Sequence, residues 1–240
     1  MNKIDVVIPL GPGSIWQDNE VRYAIRSVCK YFVDLGRVFV VGEKPDFLNW
    51  SNSRLVHVDQ RDVHGDDKDL NLIIKVLKAC YSGVSDQFVR MSDDQCFLQP
   101  VLVKDLVPYY LYDLKTRTDY NNRWSKRLEN TKKMLLAENK STFNYESHFP
   151  MVYEREKFVS VMNELKNQKA TINTWYFNKT LSEHQEIPQG YKYTAESPMY
   201  TFDEKILFAR FLGYNNKGVR EGVLKSVLER FFSEKCFLEV

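Results

Sequence analysis

The chain has 240 residues, 43% of them apolar and 14% aromatic, enough for one large domain with a real hydrophobic core. A net charge of +2 excludes a polycation that binds nucleic acid through bulk charge alone, although local patches can still do so. No apolar run approaches the roughly 20 residues of a membrane span, and no leader is expected, so a cytoplasmic protein is expected. Cys29, Cys80, Cys96 and Cys236 form no CxxC pair and read as thiols of a reducing compartment.

In chain order, "IDVVIPLGPG" is a short β-branched run ending in Pro and Gly, a buried strand followed by a loop. Asp18 or Asn19 is placed to cap a helix running to about Tyr31, with Val21, Ala24, Ile25 and Val28 on one face. "RVFVVGEKP" and "RLVHV" are the second and third strands. A helix from Leu70 to about Tyr81 follows, its apolar stripe being Leu70, Ile73, Ile74, Leu77 and Cys80. "QFVRM" is the fourth strand, and it runs straight into Asp93-Asp94. The first hundred or so residues thus read β-α-β-β-α-β, a pattern that predicts a mostly parallel sheet flanked by helices. The second half reads as helix-rich. "NRWSKRLENTKKMLLAEN" carries Trp124, Leu128, Thr131 and Leu135 on one side, and "EREKFVSVMNELKN" uses Phe158, Val161, Met162 and Leu165. "FDEKILFARFLG" and "VREGVLKSVLERFF" read as further helices. One domain over residues 1–240 is expected, a nucleotide-binding half to about residue 100 and an acceptor-binding half after it.

Adjacent carboxylates at the end of a buried strand repel each other and resist desolvation. A divalent cation relieves both problems, and Mg²⁺ or Mn²⁺ held by one or two carboxylates commonly completes its shell with water and substrate phosphates. The other reading of Asp93-Asp94 is a solvated surface turn. In parallel sheets, ligands sit beyond the carboxyl ends of the strands, where both this pair and Gly11-Pro12-Gly13 fall. That loop is not a phosphate-loop signature, because no Lys-Ser/Thr follows it.

"VVIPLG", "NEVRYAIRSV", "VFVVGE" and above all "RMSDDQCFLQP" resemble the nucleotide-sugar glycosyltransferases of the GT-A fold over roughly residues 4–100. The resemblance implies an enzyme that moves a hexosyl or pentosyl group from a nucleotide-diphosphate sugar to a hydroxyl, with Mn²⁺ or Mg²⁺ bridging the donor phosphates. The family's acidic motif is usually Asp-x-Asp. Here the acids are adjacent and Gln95 stands where a second, spaced acid would be. The resemblance implies a metal on Asp94 and the donor on Asp93. "SHFPMVYEREKF" is similar to a later family motif, which implies His148 as a third metal-site residue. Pro9, Leu10, Gly11, Glu43, Asn71 and Lys75 are the candidate donor contacts. Asn71 and Lys75 share a helix face at i,i+4, which a solvated helix edge would also explain. Asp203 is the candidate base for an inverting reaction, although a carboxylate at a helix start is also a common cap.

Two other readings predict different behaviour. A sugar-phosphate transferase of the Stealth type, whose Asn-Asp-Asp element is similar, releases a nucleoside monophosphate. A catalytically silent nucleotide or nucleic-acid binding module binds without turnover. For the acceptor, Lys115, Arg117, Arg123, Lys126, Arg127, Lys132 and Lys133 interleave with Tyr109, Tyr110, Tyr112, Tyr120 and Trp124. Cations with rings suit a nucleic acid, charges for the backbone and rings for the bases. In size and lack of a membrane anchor the chain resembles bacteriophage enzymes that glycosylate hydroxylated DNA bases. The rival acceptor is a surface glycan, and a solvated helix face is the bland reading of the charges.

Overall fold

β1 (Ile4–Leu10) is buried at every position, because it lies at the centre of a sheet covered on both faces. The computed structural model describes residues 3–165 and 168–240. α1 (Asn19–Tyr31), β2 (Leu35–Gly42), β3 (Leu55–Val58), α2 (Lys68–Tyr81) and β4 (Gln87–Arg90) follow in the order read from the sequence. β1 pairs in parallel with β2 on one side and β4 on the other, and β2 pairs in parallel with β3. β7 (Met151–Glu154) closes the far edge antiparallel to β4, giving the order β3-β2-β1-β4-β7. Chain direction out of the centre reverses between β1 and β4, the place where such sheets open a ligand crevice.

β5 (Gln95–Phe97), β6 (Tyr109–Tyr110), α3 (Arg123–Ala137), α4 (Arg155–Glu164), α5 (Ile172–Thr180), β8 (Gln185–Glu186), β9 (Lys192–Ala195), β10 (Phe211–Tyr214), α6 (Asn216–Arg220) and α7 (Leu224–Phe231) make up the remainder. β10 pairs antiparallel with β5 and parallel with β9, while β6 pairs with β8. Successive residues of β5 and β10 face opposite ways. Phe97 and Phe211 therefore join the core of the main sheet, and Cys96 and Leu212 join a second cluster beneath α6 and α7.

Several expectations are corrected. "FDEKILFARFLG" is not one helix. A single 3₁₀ turn, Glu204–Leu207, leads into β10, because Phe211–Gly213 pairs with β5 and β9. "VREGVLKSVLERFF" is split by Gly222, whose φ of +83° ends α6 before α7 begins. Asp18 does not cap α1 through its side chain; it sits in the left-handed region at φ 59° and makes no cap hydrogen bond. Trp124 lies outside the buried stripe of α3 and is 43% exposed. On α2 the buried face carries Asn71 and Lys75 beside Ile73, Val76, Ala79 and Cys80, so this polar pair points inward and is no solvated edge. The reading of "EREKFVSVMNELKN" extends over residues 166–167, which lie outside the described residues.

Gly42 ties β2 to the site. Its φ is +119°, and a Cβ there would stand 2.1 Å from the Leu10 carbonyl oxygen and 3.0 Å from Lys75 Cε. Gly42→Ala is expected to cost about 2 kcal/mol or more, because strain and collision add. Urea unfolding measures it; a loss below about 0.5 kcal/mol would mean the strand end relaxes freely.

Candidate active site

A cleft of about 380 Å³ opens at the carboxyl ends of β1 and β4. The loop after β1 supplies Gly11, Pro12, Gly13 and Ser14; the turn after β4 supplies Asp93 and Asp94. Glu20 of α1, the segment from Asp62 to Lys75, and Tyr214 to Asn216 complete the walls.

Each wall is held by side chains spent on backbone groups. Lys75, 4% exposed, donates to the Leu10 carbonyl at 2.8 Å and pairs with Asp62 at 2.5 Å. It thus fastens α2 to the end of β1 and to the Asp62 loop. Asn71 Oδ1 accepts from the Val63 and His64 amides at 3.1 and 3.0 Å, and its Nδ2 donates to the Gly65 carbonyl at 3.1 Å. Asn71 therefore shapes the loop. Glu20, 6% exposed, accepts from Ser14 Oγ at 2.7 Å and from the Ile15 amide at 3.2 Å, which pins the glycine loop to the first turn of α1.

The carboxylate pair is fixed from behind. The Ser92 amide donates to Gln95 Oε1 at 3.1 Å, the Phe97 amide donates to the buried Ser27 hydroxyl at 3.0 Å, and the Tyr214 amide donates to the Asp94 carbonyl at 3.1 Å. Burial above all, then repulsion from Asp94 and Glu20, lifts Asp93 to about 7. Asp94 Oδ1 is buried and makes no hydrogen bond among the described residues. His148 Nε2 stands 3.3 Å from it, at ion-pair distance, and 3.3 Å from the Tyr214 carbonyl. Burial draws the His148 pKa down, but the Asp94 carboxylate outweighs it and leaves the ring above its ordinary value. His148 also adopts φ 55°, and Gly213 leaves it room, since a Cβ there would lie 2.7 Å from the imidazole. Near it, Lys192 donates to the Ser147 carbonyl, and burial lowers its pKa to about 8.

Of the residues chosen from sequence, Pro9, Gly11, Asn71, Lys75, Asp93 and Asp94 line the cleft, and His148 touches Asp94 from outside the lining. Leu10 is buried, and its carbonyl is taken by Lys75 and by the Glu43 amide at 3.3 Å. Glu43 is exposed and does not line the cleft. Asp203 is elsewhere. It borders a different cavity with Tyr193, Tyr200 and Phe208. There its carboxylate accepts from the Lys205 amide and the Tyr193 hydroxyl, both at 3.0 Å, and the Lys205 amide holds its pKa down. Glu20 and Tyr214 were not found from sequence. An acid in a first helical turn and a tyrosine at a strand end match ordinary patterns, and only their convergence marks them.

Among the described residues, no group of three or more His, Cys, Asp or Glu side chains is arranged to hold a metal alone. Asp93 and Asp94 still fit a cation that takes its other ligands from water and substrate, and the two carboxylates crowded at the cleft with only His148 at ion-pair distance from Asp94 are the observation that favours it.

The basic residues form their own arrangement. Arg127 of α3, 6% exposed, pairs with Asp67 at 2.6 Å and Asp69 at 3.0 Å, at the start of α2. Arg123, Lys126, Arg127, Asn130, Gln168 and Lys169 line a groove of about 660 Å³. The Arg117 guanidinium lies 6.0, 5.7 and 5.6 Å from the rings of Tyr112, Tyr120 and Trp124, so a cation of the protein already faces them.

No protein-family model matches the chain, and no curated protein matches it. Among solved structures, the apo-form glycosyltransferase GlyE of Streptococcus pneumoniae TIGR4 is similar, with a TM-score of 0.51 and 11% identity over 97% of this chain and 61% of that one. The chain thus spans about three-fifths of the length of GlyE. The likeness shows a glycosyltransferase-like fold: a mixed α/β chain with a mostly parallel central sheet flanked by helices.

Proposed function

We propose that the cleft binds a nucleotide-diphosphate sugar and transfers its glycosyl group to an acceptor hydroxyl. The observation that carries this reading is the position of Asp93-Asp94, at the end of β4 and facing a crevice beside β1, with His148 as the neighbour of the buried Asp94 Oδ1 at ion-pair distance. Asp94, backed by His148, would hold Mn²⁺ or Mg²⁺, and Asp93 would face the donor. The cation, when bound, supplies Lewis-acid neutralisation of the leaving diphosphate. The chain's own part is positioning. Lys75 and Asn71 keep the walls at a fixed distance from β1, and Glu20 holds the glycine loop where a donor's backbone contacts must fall. The reaction is tested by supplying UDP-, GDP-, CDP- and dTDP-glucose with Mn²⁺ and hydroxymethylated DNA, then identifying the released nucleotide. Nucleoside diphosphate together with glucosylated DNA supports the reading. Monophosphate release would favour sugar-phosphate transfer, and binding without turnover would favour a silent module.

The acceptor proposed is a hydroxylated base in DNA, carried by the groove of α3. Arg123, Lys126 and Lys169 line it, and Arg127 joins its wall to the segment bounding the cleft. Because Arg117 already faces the rings, the groove is assigned to the phosphate backbone. Single-stranded oligonucleotide binding, followed by anisotropy, is expected to weaken with salt. The double substitution Lys126→Glu, Lys169→Glu is expected to flatten the slope of log K against log salt by about 1.5 or more. An unchanged slope would remove the groove from acceptor binding and turn attention to a glycan.

A further inference from the structure

Tyr214, a residue of the cleft wall whose ring packs in the second cluster, carries a hydroxyl that is buried and makes no hydrogen bond among the described residues. Tyr214 is 1% exposed and closes β10, with its amide on the Asp94 carbonyl and its own carbonyl facing His148. The phenol therefore rides on the same segments that fix the carboxylate pair. Its acidic neighbours are Asp93, Asp94 and Glu20, with the Cys96 thiol beside it, and a phenol is an O–H donor. A buried donor with no acceptor costs about 1–3 kcal/mol, a cost that phenylalanine would remove. Such a group calls for an explanation, and a ligand supplies one.

The surroundings select the ligand chemistry. An anionic oxygen placed at the phenol, away from the cation that would neutralise the diphosphate, would be repelled by Asp93, Asp94 and Glu20. A neutral sugar hydroxyl can accept from the phenol and donate its own proton to a carboxylate, satisfying both partners. We propose that the Tyr214 hydroxyl is a specificity contact for the transferred sugar, donating to a sugar hydroxyl that in turn donates to Asp93. This rests on the donor-site reading above.

The test compares wild type with Tyr214→Phe by calorimetric binding in Mn²⁺. The probes are UDP, GDP, CDP and dTDP, each alone and as its glucose, galactose or N-acetylglucosamine conjugate, whichever binds most tightly. The variant is expected to melt at or above the wild-type temperature, to bind the bare nucleotide within twofold, and to bind the conjugate about tenfold more weakly. Three results overturn the assignment: equal weakening for nucleotide and conjugate, which would place the phenol at the diphosphate; no weakening at all; or a lowered melting temperature, which would give the hydroxyl a structural partner. If wild type binds none of the nucleotides, the donor-site reading falls with it. If wild type binds and the variant matches it, this inference alone falls.

Discussion

Asp93→Asn is expected to make the ligand-free protein more stable at pH 8 by about 2–4 kcal/mol. The wild-type carboxyl titrates at about 7, against an ordinary aspartate value of 3.8, because burial and then Asp94 and Glu20 oppose its charge while His148 only partly relieves it. Between those two values the folded chain keeps a proton that the unfolded chain has lost. Stability of the wild type therefore falls as pH rises through about 7 and is not penalised below about pH 4. Asparagine carries no charge, so the gap between the two proteins should open on the way from acid to pH 8. Urea unfolding at several pH values measures it. A variant no more stable than wild type at pH 8 would mean that the pair is solvated. The same variant is expected to lose donor affinity, since the group that destabilises the empty cleft is the one assigned to the donor.

Arg127→Ala is expected to cost about 1–3 kcal/mol, because the carboxylates it leaves behind, 17% and 37% exposed, keep part of their hydration. Its guanidinium is buried between Asp67 and Asp69, and truncation leaves both carboxylates without their cation. Asp67 also caps α2 by accepting from the Leu70 amide at 3.1 Å. Burial opposes its charge, but the Leu70 amide and Arg127 together win and hold its pKa below the ordinary value. Its contribution is thus present above about pH 4 and is lost as pH falls further. In the variant the start of α2 should fray and the Asp62–Lys75 wall loosen, so nucleotide affinity should drop along with stability. Hydrogen exchange over residues 62–75 distinguishes this from a general loss. Unchanged protection there would contradict a link between α3 and the cleft.

What could be read from the chain was whatever repeats a local period. β1 announces itself by its β-branched run and β4 by Phe88, Val89 and Met91, while Asp93-Asp94 stands out by following such a run at a strand end; α2 was legible as a helix, but of its expected stripe only Ile73 and Cys80 are buried, and Leu70, Ile74 and Leu77 are half-buried. The rest depended on distant partners. "ILFARFLG" satisfies a helical spacing, yet Phe211 to Gly213 becomes a strand because β5 and β9 wait on either side. α5 buries Ile172, Trp175, Tyr176 and Phe177 all round, so it shows no period to detect. His148 is near Asp94 only because the chain returns along β7's approach. Asp203 fits the chemistry of a base but sits in a helix cap facing another cavity. Residue type was enough to nominate the carboxylates; their company had to come from the fold.

The most direct test of the donor site is a thermal-shift panel of UDP, GDP, CDP and dTDP, each with and without Mn²⁺, on wild type and on Asp94→Asn. A ligand that binds only the folded chain adds about 2.7 kcal/mol at roughly a hundred times its Kd, a shift of several degrees. One nucleotide is expected to raise the wild-type melting temperature only when Mn²⁺ is present, and Asp94→Asn is expected to abolish that rise. No shift with any nucleotide, or an equal shift in the variant, would contradict a metal-assisted nucleotide-sugar site at Asp93-Asp94.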